Sequence, residues 1–156
     1  QNLKAWGNLE VVGGQIKFPA TQVPSADVNT LDDYEEGTWT PSVGGTATST
    51  IQTGTYTKIG RQVTIRGTLQ INVIGTGSQT TISGLPFAAA AGSITFVFPI
   101  AVDTATAASY VHLHGNLVGG SSSIEIAGKT AAATTDTGQS ALTSSTGIHF
   151  SGSYFV

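Results

Sequence analysis

The clearest pattern in the chain is an alternation of apolar and polar residues from Gln62 to Ile74. Its apolar members are Val63, Ile65, Leu69, Ile71 and Val73. Because successive side chains of a β-strand point to opposite faces, the alternation predicts a long strand with one buried and one wet face. Ile51 to Ile59 predicts a second strand, and Gly60 and Arg61 between the two favour a β-hairpin.

Alternation of the same kind predicts more strands in the second half of the chain, separated by turns rich in Gly and Ser. The segments that fit are Ser93 to Val102, Ser109 to Val118, Ile124 to Ala127, Lys129 to Thr135 and Gly147 to Val156. In the second of these, the apolar, inward residues are Val111, Leu113 and Leu117, and the polar, outward residues are Tyr110, His112, His114 and Asn116. No segment shows a helical period. Strands at roughly ten-residue spacing predict an all-β domain, either a two-sheet sandwich or a jelly roll.

The first 33 residues differ from the rest of the chain. Leu9 to Phe18 predicts a short β segment, whereas Lys17 to Asp33 contains Pro19 and Pro24 and has little periodicity, as an extended connector would. We therefore expect residues 1–33 to form an N-terminal β segment and a connector, and residues 34–156 to form the sandwich domain.

Composition narrows the range of partners. Charged residues make up 10% of the chain, the net charge is −3, and the six basic residues form no run that would neutralise several phosphates. Nucleic acid is therefore not an expected partner. No apolar stretch is long enough to span a membrane, so no membrane insertion is expected. The chain has no Cys and no Met, which excludes thiolate chemistry. A weakly charged surface of Ser, Thr and Gly favours association with further copies.

Catalytic motifs are absent from the sequence. It has neither a Gly-x-Ser-x-Gly nucleophile motif nor a glycine-rich phosphate loop, so we expect no enzyme and no cofactor. The nearest approach to a catalytic pattern is a cluster of four carboxylates, Asp32, Asp33, Glu35 and Glu36. A glycosidase needs two carboxylates that face each other across a cleft, whereas neighbours on an extended segment point apart. We therefore expect a solvated turn or ion pairs with Arg61 or Arg66 of a neighbouring subunit.

Some residues have both a structural and a functional interpretation. Trp39 lies on the expected first strand of the sandwich, where burial in the core or at a subunit interface is favoured over stacking on a sugar. The basic residues Lys58, Arg61 and Arg66 fit the carboxylate cluster of the next chain, which we favour, or an acidic lipopolysaccharide. The last strand has apolar residues on both faces, which predicts that both are covered. The expected core or interface residues are Trp39, Arg61, Arg66 and Phe155.

Five short strings, in order along the chain, resemble the C-terminal domains of bacteriophage and prophage tail fibres and tailspikes. The most specific runs from Asn29 to Pro41, NTLDDYEEGTWTP, and resembles the start of those domains. Gly54 to Val63 resembles their hairpin, Ile82 to Phe87 their SGLPF segment, and Ser151 to Phe155 their ending. Gly13 to Pro19 resembles the linker that joins a fibrous shaft to the tip.

The resemblance implies a homotrimeric, jelly-roll-like tip at the end of a virion's tail fibre or tailspike. Such a tip caps upstream fibre proteins and attaches the particle to a bacterial surface polysaccharide or lipopolysaccharide. No family string falls between Ser93 and Gly147, so receptor specificity is expected there. The candidate receptor-binding residues are Asp103, Tyr110, His112, His114 and Asn116. The alternative is a purely structural trimerisation cap of a fibre or of an upstream depolymerase.

The histidines permit a further alternative. His112 and His114 project from the same face of a strand because one residue separates them, and three copies on a trimer axis would present six imidazoles to one transition metal. A receptor-facing or simply solvated strand is favoured, and no metal is expected. His149, between Ile148 and Phe150, is expected to be partly buried and hydrogen-bonded.

Overall fold

The computed structural model describes residues 11–77, 79–103, 110–130 and 142–156. Within these ranges the chain forms nine β-strands and no helix, so the predicted all-β class is confirmed. Every strand pairs antiparallel to its neighbours. The strands are β1 (Tyr34–Trp39), β2 (Ser42–Val43), β3 (Thr48–Ile59), β4 (Gln62–Val73), β5 (Thr81–Ser83), β6 (Thr95–Val102), β7 (Tyr110–Val118), β8 (Ile124–Thr130) and β9 (Gly147–Phe155).

The nine strands form one curled sheet in the order β1-β3-β4-β9-β6-β7-β8-β5-β2. Its opposite edges, β1 and β2, are joined by only Thr40 and Pro41, so the sheet bends until its edges lie close together. Strand β6 is where the partner changes, because 95–99 pair with β7 and 100–102 pair with β9. We call β1, β3, β4 and β9 the β4 half of the sheet, and β7, β8, β5 and β2 the β7 half.

The core lies inside the curl of the sheet. As its alternation predicts, β4 buries four apolar residues to 1% exposure or less, namely Val63, Ile65, Leu69 and Ile71. Other strands add side chains that are just as deeply buried, among them Ile82, Phe98, Leu117, Ile124, Ile126, Ile148 and Tyr154. Both halves of the sheet therefore share one core.

The β3–β4 hairpin matches its prediction, with one correction at the far end. Gly60 and Arg61 form the turn, and Gly60 has a φ of +54°, the positive value that a two-residue hairpin turn requires at its first central position. Val73, expected to face inward, is 51% exposed. It is the last residue of β4, opposite Thr48 and beyond two irregularities in the pairing with β3. The alternation in the sequence therefore continues past the point where β4 leaves the core.

The N-terminal residues contain no strand in their described part, 11–33. The predicted β segment is therefore wrong for residues 11–18, while residues 9 and 10 lie outside the described ranges. Three of its four described apolar side chains, Val11, Val12 and Ile16, are exposed, Val12 to 84%. The extended segment makes side-chain contacts with the domain through the Phe18 and Tyr34 rings, whose centroids are 6.3 Å apart, and through Gln22, whose Oε1 lies 3.0 Å from Lys58 Nζ.

Strand β8 is one continuous strand, which corrects the prediction of two strands divided at Gly128. Gly128 pairs with Leu113 of β7, and a side chain there would collide with Leu113. The glycine is thus a packing requirement of the sheet and does not mark a turn. Residues 131–135 of the predicted second strand lie outside the described ranges. Strands β2 and β5 were missed because two or three residues are too few to show alternation.

Candidate functional site

The structure corrects part of the predicted outward face of β7, because the strand contains a β-bulge. Tyr110 pairs with Thr130 and His112 pairs with Lys129, so Val111 is the extra residue. One extra residue reverses the facing of everything beyond it. Val111, predicted to face inward, is 66% exposed.

Tyr110 is displaced by the same bulge. A Cβ at Gly128 would stand 2.9 Å from Tyr110 Cδ1 and would also meet Leu113, so the Tyr110 ring lies beside Leu113 on the inner face. The prediction that Tyr110 shares an outward face with His112 is therefore wrong.

His112, His114 and Asn116 do lie together on the outer face. His114 Nδ1 is 3.1 Å from His112 Nε2, so one ring donates a hydrogen bond to the other. Among the described residues, no cluster of three or more His, Cys, Asp or Glu side chains is arranged to hold a metal ion. On β6, Pro99 lies opposite His114.

Asp103 belongs to a different neighbourhood from the β7 histidines. Its amide donates to Gly147 O over 3.3 Å, and its Oδ2 lies 3.2 Å from His149 Nε2. The structure therefore divides the predicted set into three parts, with Asp103 at β9, Tyr110 inside, and the histidines and Asn116 on the outer face of β7. Residues 104–109 lie outside the described ranges.

A concave groove of about 460 Å³ lies on the outer face of the sheet, across β3, β4, β9 and β6. We call it the outer groove. Its side chains come from Thr53, Thr55, Arg66, Thr68, Pro99, Ala101, His149 and Ser151, and its floor includes Gly54, Gly67 and Phe150.

Strand register sets the polar side chains of the outer groove in two rows. Thr55, Arg66 and Ser151 form one row across β3, β4 and β9. Thr53, Thr68 and His149 form the next row. The groove therefore presents hydroxyl groups on either side of a guanidinium and beside an imidazole.

The floor of the outer groove is held by aromatic rings beneath it. Gly54 lies opposite Gly67, which lies opposite Phe150, and side chains at the two glycines would collide with the Trp39 indole and the Phe150 ring. Trp39 Nε1 donates to Arg66 O over 3.2 Å, and the Trp39 and Phe150 rings pack edge to face. Trp39 is 7% exposed and lies in the core, which is one of the two positions expected for it.

His149 is held in place on both sides of its ring. Nε2 lies 3.2 Å from Asp103 Oδ2, and Nδ1 lies 3.3 Å from Thr68 Oγ1. An ionised carboxylate only accepts hydrogen bonds, so Nε2 donates to Asp103, and in the neutral ring Nδ1 accepts from Thr68. The expected hydrogen bonding of His149 is confirmed, and its side chain is half-exposed, at 48%.

Arg66 lies in the outer groove and is exposed. No carboxylate in the described part of the chain forms an ion pair with it. Arg61 lies instead at the β3–β4 turn, where its Nε donates to Val156 O over 3.1 Å. The two arginines of the predicted interface therefore occupy separate places on the surface.

The carboxylate cluster has its partners within the same chain. Asp33 and Lys58 are 4% and 3% exposed and form a buried ion pair, so the predictions of a solvated turn or a neighbour's arginine are wrong for Asp33. Lys58 is likewise unavailable to a lipopolysaccharide. The Tyr56 hydroxyl donates to Glu35, and this bond is the main cause that raises the Tyr56 pKa to about 12.

An apolar row lies on the same outer face, at the hairpin end of the β4 half. We call Tyr34, Ile59 and Phe155 the outer apolar row. They are 42%, 51% and 49% exposed. Tyr34 lies opposite Ile59, and Gln62 separates Ile59 from Phe155. Phe155, an expected interface residue, is thus half-exposed in the single chain.

His149, Thr68 and Ser151 were missed as site residues by sequence reasoning. Their signal in the sequence was the set of polar positions in the alternation of β4 and β9. These positions come together only because β4 pairs with β9, although even the nearest paired residues, Gln70 and Gly147, are 77 residues apart in the chain. Local pattern does not specify such a pairing.

Comparison with models of protein families, with curated proteins and with solved structures found no match. The likeness to phage tail domains therefore rests on the sequence strings alone. No helix in the described part of the chain is long and apolar enough to cross a membrane.

Proposed function

We propose that this chain is the homotrimeric tip of a bacteriophage tail fibre or tailspike and attaches the virion to a glycan on the bacterial surface. The observation that carries the proposal is the outer groove, a concave site lined by hydroxyl groups, one guanidinium and one imidazole. The sequence strings that resemble phage tail domains give the biological setting. Upstream fibre proteins are the other proposed partners.

The chemistry of the outer groove suits a saccharide. The hydroxyls of Thr53, Thr55 and Ser151 each donate and accept hydrogen bonds, as the hydroxyls of a sugar do. Pro99 and Ala101 add apolar surface for the C–H faces of the ring. The groove's volume of about 460 Å³ falls within the range typical of small-ligand sites.

The finer architecture is also a proposal. We propose that the β4 and β7 halves act as the two sheets of a jelly-roll-like sandwich, with β6 passing from one to the other. One contact that supports this joins β9 to the segment after β5, where the Tyr154 hydroxyl donates to Phe87 O over 2.9 Å. The outer apolar row supports the homotrimer, because association would remove Ile59 and Phe155 from water.

A role without catalysis agrees with the environment of the carboxylates. Asp33 is neutralised by Lys58 in the core, and Glu35 accepts a hydrogen bond from Tyr56. Glu36 accepts one from Tyr34. Glu35 and Glu36 are neighbours on β1 and point to opposite faces, so they do not form the facing acid and base that hydrolysis of a glycoside requires.

The alternative function is a structural cap that aligns three chains of a fibre, or of an upstream depolymerase, without touching a receptor. The outer apolar row is the observation that favours it, because an interface would use that row even if the groove bound nothing. The two functions differ in one respect only, which is whether the trimer binds a glycan.

A microarray of bacterial polysaccharides and lipopolysaccharides tests the proposal, with sedimentation to establish that the protein is trimeric. We expect a trimer that binds a subset of glycans. Ser151→Ala should weaken binding several-fold, as loss of one hydrogen bond does, whereas Ser153→Ala, on the same strand and face but outside the groove, should not. A trimer that binds no glycan would favour the cap, and a stable monomer would contradict both functions.

A further inference from the structure

The outer groove contains one permanent positive charge in a protein whose net charge is −3. Among the side chains that line the groove, that charge belongs to Arg66. The three basic residues of the β3–β4 hairpin, Lys58, Arg61 and Arg66, have different partners. Lys58 is neutralised by Asp33 inside the protein, and Arg61 donates to the carbonyl of Val156.

The immediate neighbours of Arg66 leave its charge uncompensated. Across the sheet, Thr55 lies on one side and Ser151 on the other. Along β4, the next residues on the same face are Thr64 and Thr68. All four are hydroxyl residues, and no carboxylate of the described residues pairs with the guanidinium. A guanidinium has five N–H donors and no acceptor, so this one is available to an anion.

The position of Arg66 is fixed by the strand beneath it. Its main chain pairs with β3 and β9, and its carbonyl oxygen accepts the Trp39 indole N–H. A rigid floor reduces the ordering cost of binding. The side chain itself remains exposed and able to reach a ligand in the groove.

We propose, on the basis of the proposed function, that the outer groove binds an anionic saccharide and that Arg66 is the residue that binds its carboxylate or phosphate. The planar fork of a guanidinium matches either group through two parallel hydrogen bonds. The hydroxyls of Thr55 and Ser151, on both sides of Arg66, bind the sugar hydroxyls beside the acidic group.

The other row of the groove fixes the direction in which the saccharide lies. Asp103 is hydrogen-bonded to His149 at that end, so its carboxylate would repel an acidic group and accept from neutral hydroxyls. The acidic group therefore binds in the Arg66 row, and neutral hydroxyls of the sugar lie toward His149 and Thr68.

The test is a titration of the full chain with matched soluble probes, followed by NMR or calorimetry. The anionic probes are tri-galacturonate, N-acetylneuraminic acid and mannose 6-phosphate. Their neutral counterparts are, in the same order, the methyl ester of tri-galacturonate, the methyl ester of N-acetylneuraminic acid, and mannose. We expect at least one anionic probe to bind about tenfold or more tightly than its neutral counterpart, with affinity that falls as salt is added. A carboxylate and a phosphate source are distinguished by which probe binds.

Two substitutions of Arg66 and one control complete the test. Arg66→Gln should lower affinity for the anionic probe by about tenfold or more, while Arg66→Lys, which keeps the charge but loses the fork, should lower it less. Lys17→Gln changes the net charge equally on the exposed connector and should leave affinity within about twofold, since long-range charge effects are screened.

The outcomes separate this inference from the function on which it rests. If the protein binds glycans on the microarray but no anionic probe, or if Arg66→Gln binds as well as the parent, the anion site is overturned and the attachment function stands. If no glycan of any kind binds, both fail. If Arg66→Gln dissociates the trimer, Arg66 acts between copies and the anion site is overturned.

Discussion

Alternation of apolar and polar residues predicts the buried face correctly in one half of the sheet and incorrectly in part of the other. In the β4 half, alternation correctly placed Val63, Ile65, Leu69 and Ile71 in the core. In the β7 half, the alternation in the sequence from Tyr110 to Val118 is just as regular, yet Tyr110 and Val111 lie on the faces opposite to those predicted. The difference is a single bulge, so alternation predicts faces only as far as the register is unbroken.

The same contrast extends to the surface. In the β4 half, the pairing of β3 with β4 is regular from Ile51 to Ile59, and with the pairing of β4 with β9 it sets polar side chains in straight rows and so creates the outer groove. In the β7 half, the bulge turns Tyr110 inward and exposes the apolar Val111 next to His112, His114 and Asn116. We therefore propose that the ligand binds in the β4 half, on the rigid floor above Trp39.

The substitution expected to destabilise the β4 half most is Trp39→Ala. The indole is 7% exposed and packs beneath Gly54 and against Phe150, so its loss leaves a cavity. We expect the free energy of unfolding to fall by about 3–5 kcal/mol. Chemical denaturation measures it, with Val28→Ala, at a 95% exposed position, as a control that should change it by less than about 0.5 kcal/mol. Unchanged stability with lost glycan binding would assign the ring to the ligand instead.

A second change tests the ion pair beneath the same half. Lys58→Met removes the partner of Asp33, which is 4% exposed, and should lower the free energy of unfolding by about 3 kcal/mol because a buried charge is left unpaired. Adding Asp33→Leu should restore most of that loss. If the double variant is no more stable than the single one, Asp33 contributes through contacts other than the ion pair.

Alkaline pH provides a test on strand β9. Burial raises the pKa of Tyr154 to about 12, whereas an unfolded tyrosine has a pKa of about 10. The neutral form is therefore favoured in the folded protein, and its contribution is present below about pH 10 and lost toward about pH 12, at about 1.4 kcal/mol per pH unit. Urea unfolding across this range should show the fall, and Tyr154→Phe should make it less steep. An equal slope in the variant would contradict the assignment.

The bulged half is tested by comparing Tyr110→Ala with His112→Ala. Tyr110 lies against Gly128 on the inner face, so its removal should cost about 1 kcal/mol of stability, whereas His112 is exposed and its removal should change stability by less than about 0.5 kcal/mol. Thermal unfolding of both variants measures the difference. Equal melting temperatures for the two variants would contradict the inner position of Tyr110 and would support the outer position that the sequence predicted.

Much of the fold could be predicted from the sequence because a strand or a turn is indicated by the pattern of its neighbouring residues. The alternation of β4, the glycine turn at Gly60 and the core position of Trp39 all follow from neighbouring residues. The bulge at Val111 leaves no such mark, because an extra residue in one strand is visible only against its partner. The same reason explains why Lys58 was expected on the surface, since its partner Asp33 is brought to it by the pairing of β1 with β3.

The candidate site was harder to predict than the fold. The sequence placed Arg66 at an interface and His149 in a partly buried strand, and nothing local indicated that they share one groove. They lie on β4 and β9, and only the antiparallel pairing of these strands places Thr68 between them, opposite His149. A site assembled from distant strands has no spacing motif.

Binding of the fluorescently labelled trimer to a panel of bacterial strains, before and after periodate oxidation of the cells, tests the central claim most directly. Periodate cleaves the vicinal diols of sugars and leaves most surface proteins folded. The attachment function predicts that the trimer binds some strains, that periodate abolishes the binding, and that treatment of the cells with protease preserves it. Binding that survives periodate and is lost with protease, or no binding to any strain, would contradict a glycan receptor.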